Sequence, residues 1–150
     1  MNIHKTAVLD KSVYLGKNVE IGAFSQILGN VQIGDNVKIK SNCVIGAEAD
    51  QPRVDRLGGQ NGSVVIQDGC VIKDSVIISK PTLTEVTKIG SNSYLMSGAY
   101  IAHDSILGKN VIISHGARLS GYTTVDDFSN IGANATTPVS YTHLTLPTMS

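Results

Sequence analysis

Aliphatic residues recur every six positions along most of this chain, and few folds can use that period. From Ile3 the series runs Leu9, Leu15, Ile21, Ile27, Ile33, Ile39 and Ile45. It resumes as Ile66, Ile72 and Ile78, then as Ile89, Leu95, Ile101, Leu107, Ile113, Leu119, Val125 and Ile131. An α-helix repeats every ~3.6 residues and a strand every ~2, so neither predicts this spacing. A fixed internal period instead signals units that stack on one another. Small or β-branched side chains stand two places before most of these aliphatics, as at Val19, Ser25, Val37, Cys43, Cys70 and Ala99. Gly often follows the aliphatic, as at Gly16, Gly22, Gly34, Gly46, Gly90, Gly108 and Gly132. There it is expected to relieve the steric cost of a corner.

Each unit reads as one short strand plus one corner. Three units close a triangle, which predicts an all-β chain, a parallel β-helix of triangular coils, each coil being three hexads. The aliphatic points inward and stacks on its counterpart one coil on, with coils ~4.8 Å apart and bonded through their backbones.

Two insertions interrupt the phase. The step from Ile45 to Ile66 is three more than a coil or fifteen more than one unit, and the step from Ile78 to Ile89 is five more than one unit. Loops are therefore expected near 47–64 and 79–88. The first carries Glu48, Asp50, Gln51, Arg53, Asp55 and Arg56, the second Ser79 through Lys88. Loops on a rigid scaffold often hold binding groups, although polarity alone fits tolerated insertions equally.

The series fails at Thr137, and Pro138 follows. The codons GTC TCT TAT ACA CAT CTG ACG CTG CCG ACG, a sequencing-adaptor pattern, encode Val139 to Thr148 in order. The β-helix domain is thus expected to span 1–138, with 139–150 an artefactual tail left out of fold reasoning, His143 included.

The 150 residues suit one domain, and 12 Lys plus Arg balance 12 Asp plus Glu. That balance gives no reason to expect nucleic acid or an anionic membrane as partner. No apolar run reaches the ~18 residues of a membrane span, and Met1 to Lys5 lacks the apolar stretch of a signal peptide. A cytoplasmic protein is expected. Cys43 and Cys70 show no metal-type spacing, so no metal is expected.

The stretch Leu95-Met96-Ser97-Gly98-Ala99-Tyr100-Ile101-Ala102-His103-Asp104 carries the chemistry. A neutral imidazole can take a proton from a hydroxyl. His103 follows the inward Ile101 by two places, so it is expected on the outer surface near a corner. Taken alone it reads as readily as an ordinary surface histidine. Gly121 lies three hexads on, at the same place in the neighbouring coil. His115 shares the hexad place but falls on another corner.

The repeat resembles that of the hexapeptide-repeat proteins. Their known members coil left-handed, and the left hand is implied by that resemblance, since ordinary parallel crossovers are right-handed. The Ala-His-Asp segment, with Leu119-Ser120-Gly121-Tyr122, Val125-Asp126-Asp127-Phe128, Val76-Ile77-Ile78-Ser79 and Thr87-Lys88-Ile89-Gly90-Ser91, resembles the acyl-(acyl-carrier-protein)–UDP-N-acetylglucosamine O-acyltransferases of lipid A biosynthesis. The resemblance covers most of 3–136. It implies His103 as general base, Asp104 as its partner and Gly121 as backbone donor to an oxyanion. It also implies a homotrimer with sites between neighbours, acyl carrier protein as donor and a UDP-amino-sugar as acceptor.

The chain departs from that family at the substrate. Members carry histidines that contact the sugar nucleotide where this chain has Ser79, Tyr100 and Tyr122. Their Gln-Asp pair appears as Asp50-Gln51, reversed or shifted. These five positions are the expected substrate-binding set. The family's C-terminal coils and helices have no counterpart here, so the 150-residue chain is expected to turn over little or not at all.

Three other readings stay open. One is an acetyl-CoA-dependent sugar O- or N-acetyltransferase. A second is a zinc lyase of the gamma carbonic anhydrase type, which the His103–His115 spacing fits poorly. The third is a non-catalytic structural β-helix.

Overall fold

The computed structural model describes residues 1–50, 61–138 and 143–144. Gln51, with Arg53, Asp55 and Arg56 of the first insertion, lies outside the described residues.

Strands follow one another around three faces, all paired in parallel. The first face stacks β1 (Asn2–Ile3), β4 (Glu20–Ile21), β7 (Lys38–Ile39), β10 (Val71–Ile72), β13 (Tyr94–Leu95), β16 (Ile112–Ile113) and β19 (Asn130–Ile131). The second stacks β2 (Val8–Leu9), β5 (Gln26–Ile27), β8 (Val44–Ala47), β11 (Ile77–Ser79), β14 (Tyr100–Ile101) and β17 (Arg118–Leu119). The third stacks β3 (Tyr14–Leu15), β6 (Val31–Ile33), β9 (Ser63–Ile66), β12 (Val86–Ile89), β15 (Ile106–Leu107), β18 (Thr124–Val125) and β20 (His143–Leu144). From β1 to β19 every third strand shares a face, so the path is a three-sided coil. Among the described residues no helix is long and apolar enough to cross a membrane.

Register follows the six-residue phase. Leu9 pairs with Ile27, Leu15 with Ile33, Ile21 with Ile39 and Ile101 with Leu119. Ile33 pairs with Ile66 across the first insertion, and Ile78 pairs with Ile101 across the second. Ile45 stands on the second face and Ile66 on the third, so the first insertion adds to a single unit. Both insertions leave at the corner between the second and third faces. Strand pairing eats into each of them, because Val86 to Ile89 match Ser63 to Ile66 residue by residue. β12 therefore includes Val86 to Lys88, which the hexad count leaves in the loop.

Inward aliphatics from Ile21 to Ile131 are at most 2% exposed. Each such side chain removed from water contributes about 1.5–3 kcal/mol. The small residues two places earlier are buried beside them, including Val19, Ser25, Val37, Ala99 and Ser105. Cys43 and Cys70 are two more of these wall residues, buried as free thiols. Burial pushes the Cys70 thiol up to about 11 and the Cys43 thiol in the same direction.

The corners turn differently from the sequence expectation. Of the seven glycines that follow an aliphatic, only Gly46 has a positive φ. The left-handed residue stands three places after the aliphatic, as at Asn18, Phe24, Asn36, Asn92, Asp104, Asn110, Tyr122 and Asn134, with φ between 56° and 64°. Asn and Asp tolerate that region because their short polar side chains bond locally. The glycine makes room instead. A Cβ on Gly108 would collide with the Asp127 carboxylate, which accepts the Lys109 backbone N–H at 2.9 Å.

The coil's path outlasts its aliphatic pattern. Thr136 bridges to Arg118, and buried Thr137 fills the next inward place. Its hydroxyl accepts the Ser120 N–H at 2.7 Å. Beyond it, His143 and Leu144 pair with Thr124 and Val125.

Candidate active site

The corner between the second and third faces brings the charged and hydroxyl side chains together. His103 and Asp104 turn it between β14 and β15. Gly121 and Tyr122 turn it one coil further, between β17 and β18. The 80–85 segment leaves and rejoins it one coil earlier, between β11 and β12. His115 turns the corner between the first and second faces, on β16–β17, and is exposed.

Asp104 is the centre of this corner, and its side chain is fully buried. Its Oδ2 lies 2.8 Å from His103 Nδ1 and accepts the Thr82 hydroxyl at 2.6 Å. Both carboxylate oxygens also accept the Thr82 N–H, at 3.1 and 3.0 Å. Oδ1 accepts the Thr84 N–H at 2.9 Å and the Thr84 hydroxyl. The Asp104 N–H donates to Thr87 Oγ1 at 2.8 Å, which pins a backbone held at φ 64°. Burial works against the charged form. The bonds from His103, Thr82 and Thr84 outweigh it and hold the carboxyl well below the usual carboxylate range.

An ionised carboxylate only accepts, so the proton between Asp104 and His103 sits on Nδ1. In the neutral ring Nε2 then carries a free lone pair. The His103 side chain is 12% exposed. Its ring lies over Gly121, where any Cβ would sit 2.6 Å from Nε2 and 3.0 Å from Nδ1. Only glycine leaves room for the imidazole there. Tyr122 meets the ring edge-on, with centroids 5.2 Å apart and planes at 88°. Its hydroxyl lies 3.2 Å from Thr82 Oγ1.

The other expected substrate residues form a second group. The Tyr100 hydroxyl donates to Asp50 Oδ2 at 3.0 Å. Ser79, buried, lies 3.4 Å from the same hydroxyl. Burial and the nearby Asp50 carboxylate push the Tyr100 phenol up, against the opposing Ser79 bond. Of the eight expected site residues, the structure thus gathers His103, Asp104, Gly121 and Tyr122 in one group and Asp50, Ser79 and Tyr100 in another. Gln51 lies outside the described residues. Among the described residues, His, Cys, Asp and Glu nowhere gather in a group of three that could hold a metal ion.

Sequence reasoning missed Thr82, Thr84 and Thr87. One signal was available for Thr87, which stands two places before Ile89, where wall residues are buried. A second signal was the position of the insertion, in the same corner as His103.

Three parallel faces, six-residue units and inward aliphatics define a parallel β-helix of hexapeptide repeats, and the likeness to solved structures makes the class the left-handed one. The bacterial transferase hexapeptide model, of six repeats, matches residues 12–47 and 87–121. The Aliivibrio fischeri acyl-(acyl-carrier-protein)–UDP-N-acetylglucosamine O-acyltransferase is 38% identical over 92 residues, 60% of this chain and 34% of that protein. The LpxA structure from Acinetobacter baumannii superposes with a TM-score of 0.73 at 26% identity, over 89% of this chain and 58% of that one. A further UDP-N-acetylglucosamine acyltransferase structure gives 0.76 at 25% identity, over 88% and 57%. Over the matched residues the chain is similar to these acyltransferases, and the match spans about a third of the length of the curated relatives.

Proposed function

We propose that the corner bearing His103 is the acyl-transfer site of an acyltransferase that moves a fatty acyl group from acyl carrier protein to a UDP-amino-sugar resembling UDP-N-acetylglucosamine. The observation that carries this reading is the His103 ring, tied through Nδ1 to a buried charged Asp104 and lying over Gly121 one coil away. Nε2 takes the proton of a sugar hydroxyl as its oxygen attacks the thioester carbonyl. The backbone N–H of Gly121 donates to the oxyanion that forms, a kind of contact worth about 3 kcal/mol elsewhere. The tetrahedral intermediate collapses, the carrier thiolate leaves, and the imidazolium returns the proton to it. Relatives named for the same donor and acceptor support this reading. It carries with it a role in lipid A biosynthesis, a homotrimeric assembly and a cytoplasmic setting.

The acceptor is held differently from the histidine-rich pattern of the family. The Tyr100 hydroxyl bonds to both Ser79 and Asp50, and the Tyr122 hydroxyl lies against Thr82. An acetyl-CoA-dependent sugar acetyltransferase is the second reading that these replacements favour. Donor competition separates the two. The chain, in excess over acceptor so that a single slow turnover suffices, is given acyl carrier protein thioester and acetyl-CoA together. Mass spectrometry of the nucleotide sugar is expected to show the long acyl group. An acetyl group alone contradicts the proposal.

A further inference from the structure

The hydrogens in the His103 corner can be counted, and the count assigns a task to the 80–85 segment. The Thr82 hydroxyl has one proton. A charged carboxylate cannot donate, so that proton goes to Asp104 Oδ2 at 2.6 Å. The single Nδ1 hydrogen of His103 goes to Asp104 Oδ2 at 2.8 Å, so Thr82 Oγ1, 3.4 Å from Nδ1, is left to accept from the Tyr122 hydroxyl at 3.2 Å. Protons therefore run one way, from Tyr122 to Thr82 to Asp104. With Thr82 N–H, Thr84 N–H and hydroxyl, and His103 Nδ1–H added, Asp104 accepts from five donors. Two of them, the Thr82 hydroxyl and His103 Nδ1–H, share Oδ2.

We propose that Thr82 is a positioning residue whose hydroxyl, donating to the same Asp104 Oδ2 that takes the His103 Nδ1 hydrogen, holds that oxygen against the ring and so locks His103 in the form with hydrogen on Nδ1 and a bare Nε2. Thr84 supports it from the far carboxylate oxygen. Thr82 itself is 0% exposed, so it acts through these neighbours and not by touching substrate. Its importance for transfer rests on the acyltransferase reading above, but its effect on the imidazole does not.

The test is ¹⁵N NMR of the His103 ring in the whole chain, at a pH where the ring is neutral. The parent is expected to show a protonated Nδ1 and an unprotonated Nε2. Thr82→Val keeps the shape and both backbone donors while removing the hydroxyl. It is expected to move the two resonances toward each other, as the tautomers mix, and Thr82→Ser is expected to restore the parent pattern. Thr82→Val spectra identical to the parent overturn the proposal. If Thr82→Val does not fold, the parent decides: hydrogen on Nε2, or no slowly exchanging Thr82 hydroxyl proton, also overturns it. The expected spectra without any acyl transfer would sink the proposed reaction and leave Thr82 its role. Transfer that depends on His103 while Thr82→Val leaves the ring unchanged would do the reverse.

Discussion

A single carboxylate organises the corner, and its cost and benefit both come from burial. Asp104 gives up water entirely and recovers hydrogen bonds from Thr82, Thr84 and His103. Its proton is bound less readily folded than unfolded, because its carboxyl is held below the usual range. Its contribution to stability is therefore complete above the unfolded value of about 3.9 and fades as pH falls from there toward the lower folded value. Asp104→Asn removes the charge and turns an amide toward donors. It is expected to lower stability at pH 7 by about 1.5–3 kcal/mol, the worth of one hydrogen bond to a charged group. The gap from the parent should narrow steadily below about pH 4. Thermal unfolding of both proteins across that range checks this, and a gap that widens toward acid refutes it. At this scale the sequence exposed His103 and Gly121, because a separation of three whole hexads places them one above the other. It hid Thr82 and Thr84, because a loop's path back onto its scaffold follows no period.

The hexad is the element that carries the fold, and its places do different work. The inward aliphatic was legible because burial selects it by size and branching. The glycine after it was legible as a constraint but misread as to cause. It clears space for the next coil's backbone and side chains, while the residue two places later, most often Asn but also Phe24 after Gly22, takes the left-handed turn. A sequence read alone cannot distinguish a strained φ from a close neighbour, since both exclude a Cβ. Packing, by contrast, gives a graded expectation along the stack. Ile72 is 0% exposed and Ile3 is 37% exposed. Ile72→Ala is expected to cost about 2–5 kcal/mol and Ile3→Ala well under half as much. Chemical denaturation of the two variants measures it, and equal costs would mean that the aliphatic column does not hold the coils together.

Viewed whole, the molecule concentrates its exceptions on one edge. Both insertions, the His103–Asp104 turn and the Gly121–Tyr122 turn all lie where the second face meets the third. The other two edges run through the described residues without an insertion. The phase breaks at Ile45 and Ile78 mark the two insertions. Their shared edge became visible only once register assigned Ile45, Ile78, Ile101 and Leu119 to one face. A rigid stack suits such an edge, because it fixes groups from separate coils with little reorganisation. The most direct measurement is single-turnover acyl transfer from acyl carrier protein by the parent and by His103→Ala, with folding checked by circular dichroism. The account predicts that the variant keeps its β-sheet signal and loses transfer by about 10²–10⁴-fold, the usual reach of a positioned base. A variant that transfers at the parent's rate would contradict it.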